Sequence, residues 1–267
     1  MVKISILGSG WLGFPLAKAL MQKGFSINGS TTSAEKLSVL KSAGIEPFLV
    51  QLYEEKITET VADFLAQSQI LIVNIPPKLR GNSTENFVAK MTHLIPFIEK
   101  SGIEKVLFVS STSVYGENNE FVSEYTPLNP DSEGGRQLAI VEQLLQRNPG
   151  FKTTILRFGG LIGEDRNPVR FLSGRENIEN PEAPINLIHQ DDCIGIILKI
   201  IKNNCWNETF NAVAPFHPSR KEYYTQKATD LNLALPKFEV ANTIVGKTIL
   251  SDKLVDSLQY SFIKPTL

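Results

Sequence analysis

Gly8-Ser9-Gly10-Trp11-Leu12-Gly13 stands at the junction of two patterns with different periods. Before it, Val2-Lys3-Ile4-Ser5-Ile6-Leu7 is a short apolar strand; after it, a helical pattern runs from about Trp11 to Lys23. Scattered through a chain, G-x-G-x-x-G occurs by chance. Between a strand and a helix it marks a dinucleotide-binding turn. Gly8 allows the tight turn, Gly10 lets the backbone approach a pyrophosphate, and Gly13 lets the helix lie close on the strand. The helix N-terminus then presents unpaired N–H groups and partial positive charge to phosphates. The alternative is a tight β–α turn with no ligand. Pro15 removes one early backbone donor, which the first helical turn tolerates better than the interior.

The same alternation continues. Short apolar runs at 26–29, 45–50, 70–73, 105–110 and 153–157 read as buried parallel strands. Helical patterns at 34–43, 58–67, 85–100 and 133–146 separate them. Strands alternating with helices of this length imply an α/β fold, a Rossmann doubly wound parallel sheet, whose ligand lies beyond the carboxyl ends of the strands. The pattern changes after residue 160. Residues 163–184 are rich in Arg, Asn, Glu, Gly and Pro and read as irregular, with one short helix. Helices follow at 191–201, 219–231 and 251–258, with Ser219 and Glu222 spaced as a capping box. The expected division is a nucleotide-binding domain over 1–160 and a small C-terminal lobe over 161–267. That lobe is interleaved with the first domain and packs over the ligand edge of the sheet, in one structural unit with it.

Composition narrows the function. The 267 residues carry a net charge of −1 with no basic block, which argues against nucleic acid or an anionic membrane as partner. No run of 18 apolar residues exists, so no membrane span is expected. The apolar N-terminal run is broken by Gly8-Ser9-Gly10 and serves as strand and turn rather than as a secretion signal. Cys193 and Cys205 fit neither a zinc pattern nor a disulfide framework and read as reduced packing residues of a cytoplasmic protein. No metal site is expected.

Six segments, in order, carry a resemblance. They are the Gly8–Gly13 turn, Val106-Leu107-Phe108-Val109-Ser110-Ser111, Ser113-Val114-Tyr115-Gly116, Leu156-Arg157-Phe158-Gly159-Gly160-Leu161-Ile162-Gly163, Asn186-Leu187-Ile188-His189-Gln190-Asp191-Asp192, and Thr209-Phe210-Asn211-Ala212-Val213. Together they resemble extended short-chain dehydrogenase/reductases of the nucleoside-diphosphate-sugar epimerase and dehydratase type, over nearly the whole chain. Those enzymes place Tyr-x-x-x-Lys at the start of the helix after the Val-Tyr-Gly segment, with a glutamate four residues beyond the lysine. Here the stretch is Gly134-Gly135-Arg136-Gln137-Leu138-Ala139-Ile140-Val141-Glu142. Glu142 and Gly135 fix the register, which sets Gly134 at the tyrosine position and Leu138 at the lysine position. The chain is therefore similar to the atypical branch that lacks the dyad. A free phenol titrates near about pH 10 and needs a neighbouring ammonium to act near neutrality. Glycine and leucine exchange no proton at all.

The resemblance retains the family's serine as Ser111, which can hold a carbonyl oxygen. Tyr115 is the remaining phenol nearby, either a substitute acid or a packed tyrosine. For the cofactor, Gly8, Gly10, Trp11, Leu12 and Gly13 form the turn. Ser30, Thr31 and Thr32 end the second strand with no acidic residue about 20 residues after the turn, where NAD enzymes place one. These hydroxyls, followed by Lys36, suit a 2′-phosphate and favour NADP over NAD; capping by Thr32 or Ser33 ahead of Glu35 is the other explanation. Asn74, Ile75 and Pro76 leave the fourth strand either beside the cofactor or as a rigid loop, and Ser110 precedes the retained serine. Arg136, a cation at a helix start, hints at an anionic substrate or is a solvated surface arginine. His189 faces the substrate cleft or serves structure, with Asp191 as N-cap and Asp192 in the first turn. Arg157 reads as structural.

The expected function is an NADP-dependent oxidoreductase or epimerase-like enzyme acting on a small carbonyl or nucleotide-sugar-type substrate. The rival is a non-catalytic NADP(H) sensor. Relatives of this type often dimerise through helices that correspond to 85–100 and 133–146 here; a homodimer through their apolar faces is one reading, and core packing explains those faces equally well.

Overall fold

The computed structural model describes residues 2–79, 84–118, 120–240 and 246–266. In chain order the first half contains β1 (Lys3–Leu7), α1 (Gly13–Gln22), β2 (Ser26–Thr31), α2 (Glu35–Ser42), β3 (Glu46–Leu49), α3 (Val61–Leu65), β4 (Ile70–Val73) and α4 (Phe87–Ser101). Next come β5 (Lys105–Ser111), β6 (Phe121–Val122), α5 (Glu133–Gln146), β7 (Lys152–Phe158) and β8 (Gly160–Ile162). The remainder is α6 (Val169–Leu172), β9 (Leu187–His189), α7 (Gln190–Asn203), β10 (Thr209–Ala212), α8 (Arg220–Asp230), β11 (Thr248–Ile249) and α9 (Asp252–Leu258).

Seven strands form one parallel sheet in the order β10-β7-β5-β4-β1-β2-β3. The period of two sorts their side chains. Ile4, Ile6, Ile72, Leu107, Leu156 and Phe210 pack on one face beneath Leu16 and Leu20 of α1 and Ile196, Ile197 and Ile200 of α7. Leu7, Leu71, Val73, Val106, Phe108 and Ile155 pack on the other beneath α3, α4 and α5. Each fully buried aliphatic side chain in these layers contributes roughly 1.5–3 kcal/mol. From β1 the chain builds outward to β3, then returns to lay β4 on the other side of β1. That reversal places the ligand crevice at the carboxyl ends of β1 and β4.

Two expectations are corrected and one holds. The helix expected over 58–67 shortens to Val61–Leu65, because Thr60 Oγ1 donates to the Leu49 carbonyl at 2.6 Å and Gln67 takes a positive φ of 61°. The second half is not confined to a lobe over the ligand edge: β10 pairs with β7 in the main sheet, and α7 and α9 pack on its face. Only the shorter pieces lie outside the sheet, including the parallel pairs β8–β9 and β6–β11. Ser219 does cap α8, its hydroxyl accepting from Glu222 N at 3.2 Å.

Candidate cofactor and active site

The glycine turn is built from close approaches. Gly8 adopts φ +101°, and a Cβ there would stand 2.4 Å from the Asn74 carbonyl oxygen. A Cβ on Gly13 would lie 2.1 Å from the Gly8 oxygen. Gly10 differs, since a Cβ there would meet nothing within 4 Å. Two glycines thus close the turn against its neighbours, and the third keeps a face open. Asn74 stitches the turn to the end of β4, with Nδ2 donating to the Gly8 oxygen at 3.1 Å.

Beyond this turn lies a cavity of about 240 Å³. Its walls include Gly8, Gly10, Ser30, Thr31, Thr32 and Lys36, with Asn74, Ile75 and Pro76 from the β4 exit. Leu7 and Ser9 also line it, as do Val50, Leu52, Lys78, Glu85, Phe87 and Lys90, and none of these last six was expected from sequence. They come from loops and a helix start that carry no motif.

Not every expected cofactor residue offers its side chain to the cavity. The Ser30 hydroxyl accepts from Gly8 N at 2.9 Å and so supports the turn. Thr31 Oγ1 accepts from Ser33 N at 3.1 Å. Neither Thr32 nor Ser33 caps α2: Ala34 holds the N-cap position, with no side-chain bond. Leu12 is buried in the core. Trp11 faces the second half of the chain. Its Nε1 donates to Asp165 at 2.7 Å, Arg166 lies 5.0 Å from its ring centroid, and its carbonyl accepts from Gln190 Nε2 at 2.8 Å. Ser110 is buried with its hydroxyl donating to Glu142 Oε1 at 2.6 Å, which removes it from the cofactor wall.

Tyr115 is corrected most firmly. It is 2% exposed and lies in the core beneath the β5 exit. Its hydroxyl donates to Asn211 Oδ1 at 2.9 Å and accepts from Arg157 Nη1. Burial pushes its pKa above the ordinary phenol value, outweighing the opposing charge and hydrogen bond of Arg157. A phenol acid near neutrality needs the reverse. Arg157 forks onto Glu142 with Nη2 at 2.6 Å from Oε2 and Nε at 3.1 Å from Oε1. Glu124 Oε1 accepts from Asn211 N at 2.7 Å, and burial raises its pKa. Sequence reasoning used Glu142 only as a register mark and did not identify Glu124 or Asn211.

Ser111 ends β5, and its hydroxyl accepts from Ser113 N at 3.2 Å, capping the turn over 112–114. Gly134 lies in the first turn of α5, where a Cβ would meet Leu79 and Pro77 at 3.9 Å. Leu138, one turn on, is buried in the core. Neither position holds a proton-transferring group. Arg136 is a surface residue, 52% exposed and paired with Glu133 at 2.8 Å, so it does not join the cavity. His189, not Asp191, caps α7. Its Nδ1 accepts from Asp191 N at 3.2 Å, because the helix begins one residue earlier than its pattern implied. Among the described residues no His/Cys/Asp/Glu group is disposed to hold a metal, and no helix is long and apolar enough to cross a membrane.

With this geometry established, the comparisons are specific. Protein YeeZ of Escherichia coli K12 is 32% identical over 267 residues, covering 99% of this chain and 97% of YeeZ. UDP-glucuronic acid 4-epimerase of Bacillus cereus, solved in complex with NAD, shares the fold with a TM-score of 0.80 at 19% identity, covering 98% of this chain and 94% of that one. UDP-glucose 4-epimerase of Thermotoga maritima, solved with UDP-glucose, does so with a TM-score of 0.79 at 18% identity, covering 98% and 94%. Residues 4–212 match the NAD dependent epimerase/dehydratase family, and the chain belongs to that family.

Proposed function

We propose that this chain binds a nicotinamide dinucleotide, NADP(H) in preference to NAD(H), and uses it on a small carbonyl or nucleotide-sugar-type substrate. The observation that carries the reading is the cavity at the β1–β4 reversal, with Gly10 open towards it and Thr31, Thr32 and Lys36 on its wall. The residues present fit the group. The Gly10 backbone leaves room for a pyrophosphate beside the start of α1, where the helix dipole favours a phosphate. The buried Ser9 hydroxyl has no partner among the described residues. When bound, the dinucleotide would supply a hydride donor or acceptor. Lys36 and Thr32 would hold a 2′-phosphate, where a carboxylate would repel it.

Ser111 is the proposed carbonyl-holding group, because its hydroxyl keeps a donor while accepting from Ser113 N. Gly134 and Leu138 replace the family's Tyr-x-x-x-Lys dyad, so proton transfer by that dyad is closed to this chain. The burial of Tyr115 favours a second reading, a non-catalytic protein that reports the NADP(H) redox state.

Calorimetric titration with NADPH, NADP⁺, NADH and NAD⁺ tests the proposal. Binding of both phosphorylated forms, at least about tenfold tighter than the unphosphorylated ones, is expected. Turnover of any aldehyde, ketone or nucleotide sugar, lost in Ser111→Ala, ends the sensor reading; binding of one redox state without turnover favours it. Absence of all binding sinks both. We also propose a homodimer through α4 and α5, whose Phe97, Ile140 and Leu144 are exposed. Sedimentation at twice 29.6 kDa is the expected result.

A further inference from the structure

The cavity is smaller than the about 300–1,000 Å³ of a whole-ligand pocket, as fits one end of a dinucleotide. Its walls divide by chemistry. Val50 and Leu52, just after β3, join Ile75 and Phe87 as apolar surfaces suited to a flat ring. On the same wall, Lys90 Nζ and Glu85 Oε2 lie 2.5 Å apart. The Lys90 side chain is 15% exposed, and it sits in the first turn of α4, where a cation opposes the helix dipole. Core packing does not call for an ammonium here.

A donor and an acceptor held side by side in a cavity that also carries apolar walls match one kind of ring edge. Adenine presents a ring-nitrogen acceptor next to an exocyclic amino donor. Resting on the dinucleotide reading above, we propose that Lys90 and Glu85 together recognise the adenine edge. The ammonium donates to a ring nitrogen and the carboxylate accepts from the 6-amino group. Hypoxanthine, with an oxygen at that position, sets an acceptor against the carboxylate and is rejected. The pair would therefore select adenine dinucleotides from others of equal charge.

The experiment compares affinities for NADPH and NADH with those for the analogues in which hypoxanthine replaces adenine. Wild type is expected to favour adenine by about tenfold or more, the scale of one charge-assisted hydrogen bond. Glu85→Gln offers both a carbonyl and an amide to the ring. It is expected to cut the ratio to about threefold or less while keeping affinity for the hypoxanthine forms. Lys90→Met is expected to weaken both families of ligand. Circular dichroism melting establishes that each variant is folded. Equal binding of adenine and hypoxanthine forms by wild type, or an unchanged ratio in folded Glu85→Gln, overturns the adenine-edge assignment while the dinucleotide reading stands. Failure of wild type to bind any of the four overturns both.

Discussion

The Arg157 guanidinium closes on the Glu142 carboxylate through Nε and Nη2, in a pair that is 6% and 1% exposed. The pair ties strand β7 to helix α5, and Ser110 and Tyr115 complete its hydrogen bonds from the β5 side. A buried pair of this kind adds little over a well-packed apolar substitute, yet losing one partner strands the other charge. Glu142→Ala is therefore expected to lower unfolding free energy by about 3–5 kcal/mol, read from urea denaturation. A loss below about 1 kcal/mol would mean that water reaches the pair.

Tyr115→Phe separates packing from chemistry. It leaves Arg157 Nη1 and Asn211 Oδ1 without their shared hydroxyl. The expected cost is about 1–3 kcal/mol of stability, with dinucleotide affinity unchanged. A large fall in turnover or affinity, in a variant of normal stability, would restore Tyr115 to the site.

Two glycines of the turn carry opposite predictions. Gly13→Ala drives a methyl to 2.1 Å from a backbone oxygen and is expected to destabilise the fold by several kcal/mol, about 3 or more. At Gly10 an added Cβ meets no atom within 4 Å, which leaves open space for Gly10→Val. It is expected to melt within a few degrees of wild type while NADPH binding weakens at least about a hundredfold, since the side chain enters the pyrophosphate's space. Tight binding by Gly10→Val would place the cofactor elsewhere.

Sequence patterns located six of the main sheet's seven strands, because parallel strands buried on both faces need short apolar runs that turn residues bound clearly; β10, placed by its position in the chain with the C-terminal lobe, was missed. They located the site unevenly. The Gly8–Gly13 turn was legible because its chemistry is local: one φ, one close approach, one open face. Tyr115 and Ser110 were not, because side-chain direction at a strand's end depends on which layer the register selects. Glu142 and Arg157 lie 15 residues apart and meet only through packing. Lys90 and Glu85 sit at a helix start that reads as ordinary solvated charge.

Four tyrosines bear on the alkaline limit. Burial raises Tyr115, Tyr223, Tyr224 and Tyr260 above the ordinary phenol value, Tyr223 to about 12, and the Asp192 hydrogen bond adds to the effect at Tyr260. The unfolded phenol titrates near about pH 10. Below that value both states hold the proton and the full contribution is present; as pH rises through the folded values it is lost. Melting temperature is expected to hold steady to about pH 10 and then fall, less steeply in Tyr260→Phe. A fall beginning below pH about 9 would assign the limit to other groups.

On the proposed register, which sets Gly134 and Leu138 at the family's Tyr-x-x-x-Lys positions, restoring that dyad is expected to fail, and the reason differs at the two positions. At Gly134 a Cβ makes ordinary contact with Leu79 and Pro77, so Gly134→Tyr must push its ring past that loop. At Leu138 the side chain is 4% exposed in the apolar layer beneath α5. A lysine there would bury an ammonium with no partner supplied by the change, at a cost of several kcal/mol, about 3–5 by analogy with a broken buried pair. Leu138→Lys is therefore expected to melt well below wild type, and the double variant Gly134→Tyr/Leu138→Lys to gain no reductase activity. A stable double variant that oxidises NADPH with a carbonyl substrate would show that the helix start still shapes the family's active site, and that only two side chains separate this chain from its chemistry.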